Sequence, residues 1–170
     1  MLIKDLKKQN IAIWGMGAEG QAAKDYLEKH KITNNILLYN DSDGPEKFAE
    51  ILANADVIIR SPGVSIYKPE LAKAKAAGIK ITSCSDIFLN EMRANHPHTK
   101  VIGISGSKGK STSVSMLFHM LRRLGLNAAL GGNIGKPLIE LLDSEHDYMV
   151  CEFSSYQASD LTASTNIVMF

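Results

Sequence analysis

Apolar residues along this chain fall into short unbroken blocks, and the stretches between the blocks carry apolar positions at helical spacing. The blocks at 11–14, 36–39, 56–59 and 79–82 predict buried strands, because a parallel strand covered on both faces reads as a continuous apolar run. Helices are expected at 21–29, 46–53, 70–77 and 85–93. Gly78 would stop the third, and Ser85 or Asp86 would cap the fourth. The polar run from Asn40 to Pro45 is turn chemistry. Strands alternating with helices imply parallel pairing through right-handed crossovers. Residues 1–95 therefore read as one small doubly wound α/β domain. The polar, proline-containing segment Asn95-His96-Pro97-His98-Thr99 marks its expected end.

A second α/β pattern starts at residue 96. Strands are expected at 100–104, 127–130 and 148–151, and a long helix at 110–124. A further helix enters through Pro137, which suits a first helical turn, and runs to 142. One more strand begins at 166. The sequence stops at Phe170 on that apolar strand, without a following turn or cap. The expectation is a truncated second domain, 96–170, within a longer protein.

Composition narrows the class. Apolar residues make up 45% and charged residues 22% of the chain, the balance of an ordinary soluble α/β protein. The net charge of +1 supplies no field that would recruit nucleic acid or an anionic membrane. The N-terminus lacks the apolar core of a signal peptide, and no apolar run is long enough to span a bilayer. Cys84 and Cys151, far apart and outside any paired motif, read as reduced buried thiols of a cytoplasmic protein. None of the five histidines has metal-site spacing.

The stretch from Val101 to Thr112 carries the clearest chemistry. A β-branched strand enters a loop ending Gly109-Lys110-Ser111-Thr112, which opens a helix. Glycines let backbone N–H groups turn toward phosphate oxygens, and a helix N-terminus favours negative charge. Lys110 would reach the terminal phosphates and Ser111 would place its hydroxyl on Mg²⁺. The loop residues Gly106, Ser107, Lys108, Gly109, Lys110, Ser111 and Thr112 are thus the expected nucleoside-triphosphate site, although the usual pattern has glycine where Ile104 stands. Glu152 closes a strand able to lie beside the one feeding this loop. Its carboxylate would join Ser111 as a ligand to Mg²⁺, a cation that takes oxygen donors.

Gly15-x-Gly17-x-x-Gly20 also follows a strand and opens a helix, with Asp41 near the spacing of a ribose contact. That pattern fits a nucleotide diphosphate, a nicotinamide cofactor, or close strand–helix packing alone. Ser61-Pro62-Gly63 ends a strand at the sheet edge where ligands collect. Gly131-Gly132-Asn133-Ile134-Gly135 concentrates glycines around one amide.

These segments, taken in order with Glu152-Phe153-Ser154-Ser155-Tyr156-Gln157, resemble the ATP-dependent Mur ligases of peptidoglycan synthesis, closest to the branch that adds D-glutamate. Lys108 departs from the family's loop, which has asparagine there. The resemblance implies a Rossmann-like UDP-binding domain followed by an incomplete P-loop ATPase domain. It further implies ATP and Mg²⁺ as cofactors, and UDP-N-acetylmuramoyl-L-alanine and D-glutamate as substrates of an acyl-phosphate amide ligation. Lys110 and Glu152 would be catalytic. Gly17, Ala18, Glu19, Asp41, Ser61, Gly63, Asn133 and Ser154 would contact the substrate. The rest of the ATPase domain and a third domain would be missing, leaving the piece inactive alone, and a monomer is expected. The alternatives are another Mur-type or folate-type amide ligase, a nicotinamide-dependent oxidoreductase, and a nucleotide-binding module without catalysis.

Overall fold

A computed structural model describes residues 1–159 and 161–170 and divides into two compact units, Met1–Ile87 and Phe88–Phe170. Each is a mixed α/β unit built on a four-stranded sheet whose paired strands are all parallel.

In the first unit the strands are β1 (Ile11–Trp14), β2 (Ile36–Tyr39), β3 (Val57–Arg60) and β4 (Lys80–Thr82), in the order β2-β1-β3-β4. Every residue of β1 and β3 is buried, as expected of central parallel strands covered on both faces. A short helix α1 (Ile3–Leu6), which the sequence pattern did not suggest, buries Leu6. The remaining helices of this unit are α2 (Ala18–Lys29), α3 (Gly44–Asn54) and α4 (Pro69–Ala76). One core cluster gathers Trp14, Tyr39, Phe48, Ile51, Ile58 and Leu71. The Trp14 ring meets Tyr39 edge-on, with centroids 5.0 Å apart, a favourable aromatic geometry.

Two local expectations change. Helix α2 starts at Ala18 rather than residue 21, with Gly17 as its cap. Gly20 therefore lies within the helix, where a Cβ would stand 2.0 Å from the Gly15 carbonyl oxygen. The glycine is what lets helix and loop approach this closely. Helix α5 (Cys84–Asn95) begins before both suggested caps. Ser83 performs that role, its Oγ accepting from Asp86 N at 3.3 Å.

Helix α5 also contains the division between the units. Phe88, Leu89 and Met92 join the second core, so the compact units part at residue 87 rather than at the polar segment 95–99. The apolar face of α5 outweighs the linker-like composition beyond it.

The second unit orders its strands β6-β7-β5-β8, comprising β5 (Lys100–Ile104), β6 (Ala128–Gly132), β7 (Tyr148–Glu152) and β8 (Ile167–Met169). Helix α6 (Lys110–Arg123) covers one face, packing Val114, Leu117 and Phe118 with Ile104 and Val150. Val101, Met149, Cys151 and Phe153 belong to the core on the opposite face, in keeping with strand alternation. The helix expected from Pro137 is a 3₁₀ segment, Leu138–Asp143, with Pro137 as its cap. Strand β6 extends through Gly131 and Gly132, two residues beyond the end expected at Leu130. Helix α7 (Ser155–Ala158) is a single turn. Cys84 and Cys151 are free and buried, and burial pushes both thiols well above their ordinary range.

Gly20→Ala should destabilise the first unit by about 3 kcal/mol, because backbone must move to admit the methyl. Gly63→Ala, where nothing lies within 4 Å of the added carbon, should stay within about 0.5 kcal/mol. Urea denaturation monitored by circular dichroism separates the two.

Candidate functional site

Both units present loops at the carboxyl ends of their strands, where connections from neighbouring strands leave in opposite directions. In such sheets this is the crevice that receives ligands. In the first unit it lies between β1 and β3; in the second, between β5 and β7.

At the first edge, the loop after β1 and the turn after β3 are tied together. Ser61 N donates to Trp14 O at 2.9 Å, and Ser61 Oγ donates to the Gly15 carbonyl. The Arg60 side chain, 1% exposed, donates to the carbonyls of Ser61 and Val64 and so braces the Ser61-Pro62-Gly63 turn from beneath. Asn40 Oδ1 accepts from Met16 N at 3.0 Å, fixing the loop after β1 from the β2 side. Gly17 and Ala18 lie at the start of α2, both exposed, and Glu19, in its first turn, has one carboxylate oxygen buried. Gly63 is exposed near the half-buried Ser61.

Asp41 follows β2 and is held from two sides. Trp14 Nε1 donates to Oδ1 at 2.9 Å, and Lys68 Nζ lies 2.9 Å from Oδ2. Lys68 also sits 5.8 Å from the Trp14 ring centroid, within cation–π range. The Lys68 hydrogen bond, aided by that of Trp14 and opposed by burial, holds the Asp41 carboxyl below the usual carboxylate range. Arg60, Lys68 and Asn40 were absent from the sequence expectation. Arg60 left one signal, a charge ending an apolar strand. Lys68 left none, since nothing local ties it to Asp41.

At the second edge, register does the assembling. Ile104 of β5 and Gly132 of β6 both pair with Glu152 of β7, so the loop 105–109, Asn133 and Glu152 all begin at one level of the sheet. Phe153 N donates to Ile104 O at 2.9 Å and Asn133 N to Glu152 O at 3.0 Å. Gly106 and Gly109 take positive φ values of 128° and 78°, and Gly109 caps α6. Lys110 folds over its own loop, its Nζ donating to Gly106 O at 2.7 Å. Ser107, Lys108, Ser111 and Thr112 are exposed. Ser105 Oγ donates to Phe153 O at 3.1 Å, joining the loop to the end of β7.

Glu152 is 1% exposed. Its Oε1 accepts from Asn133 Nδ2 at 2.9 Å, while Oε2 is buried without a hydrogen-bond partner. Alternation along β7 places Glu152 on the face of Val150, the face covered by α6. The carboxylate and the helix beginning Lys110-Ser111 therefore share one side of the sheet. A buried, half-satisfied carboxylate is costly unless a cation or donor meets it. Its oxygen chemistry fits Mg²⁺, with Ser111 in the first turn of α6 as the companion hydroxyl. Ser154, the remaining substrate candidate, caps α7; its Oγ accepts from Gln157 N at 3.2 Å, and Gln157 Oε1 accepts from Ser154 N at 2.8 Å. Among the described residues no cluster of three or more His, Cys, Asp and Glu could hold a metal ion.

Two parallel α/β units, each with a crevice framed by glycine-bearing turns, define the class. Comparison with known proteins is specific: residues 44–83 match the Mur ligase MurD-like N-terminal domain. The chain is 34% identical over 187 aligned residues to a UDP-N-acetylmuramoyl-L-alanine–L-glutamate ligase of a Micromonospora species, covering 99% of this chain and 40% of that protein. It is 35% identical over 164 residues to a UDP-N-acetylmuramoylalanine–D-glutamate ligase of Buchnera aphidicola, covering 88% and 36% respectively. The corresponding Pasteurella multocida ligase is also 35% identical, with 89% and 37% covered. A solved structure of a UDP-N-acetylmuramate:L-alanyl-gamma-D-glutamyl-meso-diaminopimelate ligase from Neisseria meningitides aligns with a TM-score of 0.48 and 19% identity, covering 96% of this chain and 61% of that one. Along nearly its whole length the chain is thus similar to Mur ligases of the MurD-like kind. It spans about two fifths of the length of the curated relatives it matches.

Lys68→Met should raise the Asp41 pKa toward the ordinary carboxylate value, read from its ¹³C carboxyl shift. Because the folded-state value is depressed, the stability this contact contributes is present above about pH 4 and is lost as pH falls through the folded pKa.

Proposed function

We propose that this chain forms the UDP-binding and part of the ATP-binding machinery of a peptidoglycan amide ligase. The enzyme joins D-glutamate to UDP-N-acetylmuramoyl-L-alanine in the cytoplasm, as a monomer. The observation that carries this reading is the buried Glu152 carboxylate, with one unsatisfied oxygen, on the sheet face covered by the helix that opens Lys110-Ser111.

In this reading the first unit holds the UDP moiety. Gly17, Ala18, Glu19 and Asp41 surround the nucleoside, and Ser61 and Gly63 lie at the diphosphate. Residues 106–112 cradle ATP. Lys110 exchanges its bond to the Gly106 carbonyl for the terminal phosphates and neutralises charge that develops as a substrate carboxylate oxygen attacks phosphorus and ADP departs. Ser111 and Glu152 hold Mg²⁺, which supplies charge neutralisation at the phosphates when bound. Asn133 and Ser154 orient the substrate beside the reacting carboxylate. The glutamate amine then attacks the acyl phosphate, forming the amide and releasing phosphate.

A second reading concerns the handedness of the amino acid, since relatives of similar identity are named for L-glutamate. Parallel assays of the full-length enzyme with D- and L-glutamate decide between them. Ligation with neither overturns the ligase reading. Calorimetric titration tests the first unit: UDP should bind, and binding of NADH instead would make it a nicotinamide site.

Lys110→Ala in the full-length enzyme should lower kcat/KM by at least about a hundredfold, roughly 3 kcal/mol of transition-state stabilisation. Phosphate-release kinetics provide the measurement, and wild-type rates would remove Lys110 from the ATP site.

A further inference from the structure

Glu152 and Asn133 form a unit tighter than their separate expected roles require. The peptide joining Gly132 to Asn133 approaches the end of β7 so closely that a Cβ on Gly132 would lie 2.2 Å from Glu152 O. Gly132 adopts φ 103° there, a conformation open to glycine and strained for other residues. Its own N–H is held by Lys136 O at 2.9 Å. Asn133 then grips Glu152 twice, by backbone N to Glu152 O at 3.0 Å and by side-chain Nδ2 to Oε1 at 2.9 Å. An ionised carboxylate only accepts hydrogen bonds, so the amide must present its nitrogen.

This contact breaks a symmetry. The terminal torsion of a glutamate is broad and roughly two-fold, so an unassisted carboxylate would offer either oxygen to a ligand. With Oε1 engaged, the buried Oε2 is the oxygen left for a cation. Groups that orient a metal-ligating carboxylate in this way commonly govern the affinity of the site.

We propose that Asn133 is a positioning residue for Glu152, holding Oε1 so that Oε2 meets the divalent cation. This rests on the reading of Glu152 as a metal ligand. It gives the Asn133 amide nitrogen a role toward the carboxylate, distinct from the substrate contact that the resemblance implies.

The test uses the full-length protein with Mn²⁺ as probe, titrated by electron paramagnetic resonance in the presence of a non-hydrolysable ATP analogue. Asn133→Ala should weaken Mn²⁺ binding about tenfold or more, while affinity for the metal-free nucleotide and the far-ultraviolet circular dichroism stay at wild-type values. A purely structural role would not separate metal affinity from nucleotide affinity. Glu152→Gln is the control for the underlying reading and should weaken Mn²⁺ binding at least as much. Wild-type Mn²⁺ affinity in Asn133→Ala, with loss in Glu152→Gln, overturns the positioning role alone. Wild-type affinity in Glu152→Gln overturns the metal reading beneath it. If Asn133→Ala does not fold, Asn133→Ser is read by the same criteria.

Discussion

The pairing of β5 with β7 is the constraint on which the second edge depends. Side chains alternate across a strand, so a slip of one residue would send Glu152 to the face opposite α6 and Cys151 into its place. The register is secured by burial. Val101, Met149 and Cys151 fill one core while Ile104, Val150 and Val114 fill the other. Moving the carboxylate would require exchanging both apolar sets for the wrong sides of the sheet. The site is thereby fixed by residues that carry no chemistry of their own.

The first edge is secured differently, through polar contacts between loops. Ser61 bonds the Gly15 carbonyl, Arg60 braces the turn after β3, and Asn40 holds the loop after β1. Each satisfies backbone groups that parallel strands leave open where pairing stops. The two units thus present similar edges by different means. One uses strand register and a buried carboxylate, the other short hydrogen bonds among turns.

Much of the architecture was legible because buried parallel strands leave unbroken apolar blocks. The strands at 11–14, 36–39 and 100–104 needed no correction, and the others moved by a residue or two. What escaped depended on tertiary contact. The early start of α2 reflects Gly20 fitting against the Gly15 carbonyl, which propensity does not reveal. Strand β6 runs through two glycines, residues ordinarily disfavoured in strands, because the chain passes close to Glu152 O and Lys136 O there. The site residues stood out as types in motifs, but the contacts that hold them did not. Lys68 beside Asp41 and Asn133 on Glu152 join positions distant in sequence, and nothing local announces them.

Trp14 is the chain's single tryptophan. It is buried in the first unit, with its indole nitrogen bonded to a carboxylate at the sheet edge. Intrinsic emission excited at the red edge of the protein band therefore reports one half of the chain and is blind to the other. An unfolding curve recorded with that signal describes the Met1–Ile87 body alone. Any divergence from a backbone-detected curve would measure how independently the two halves melt.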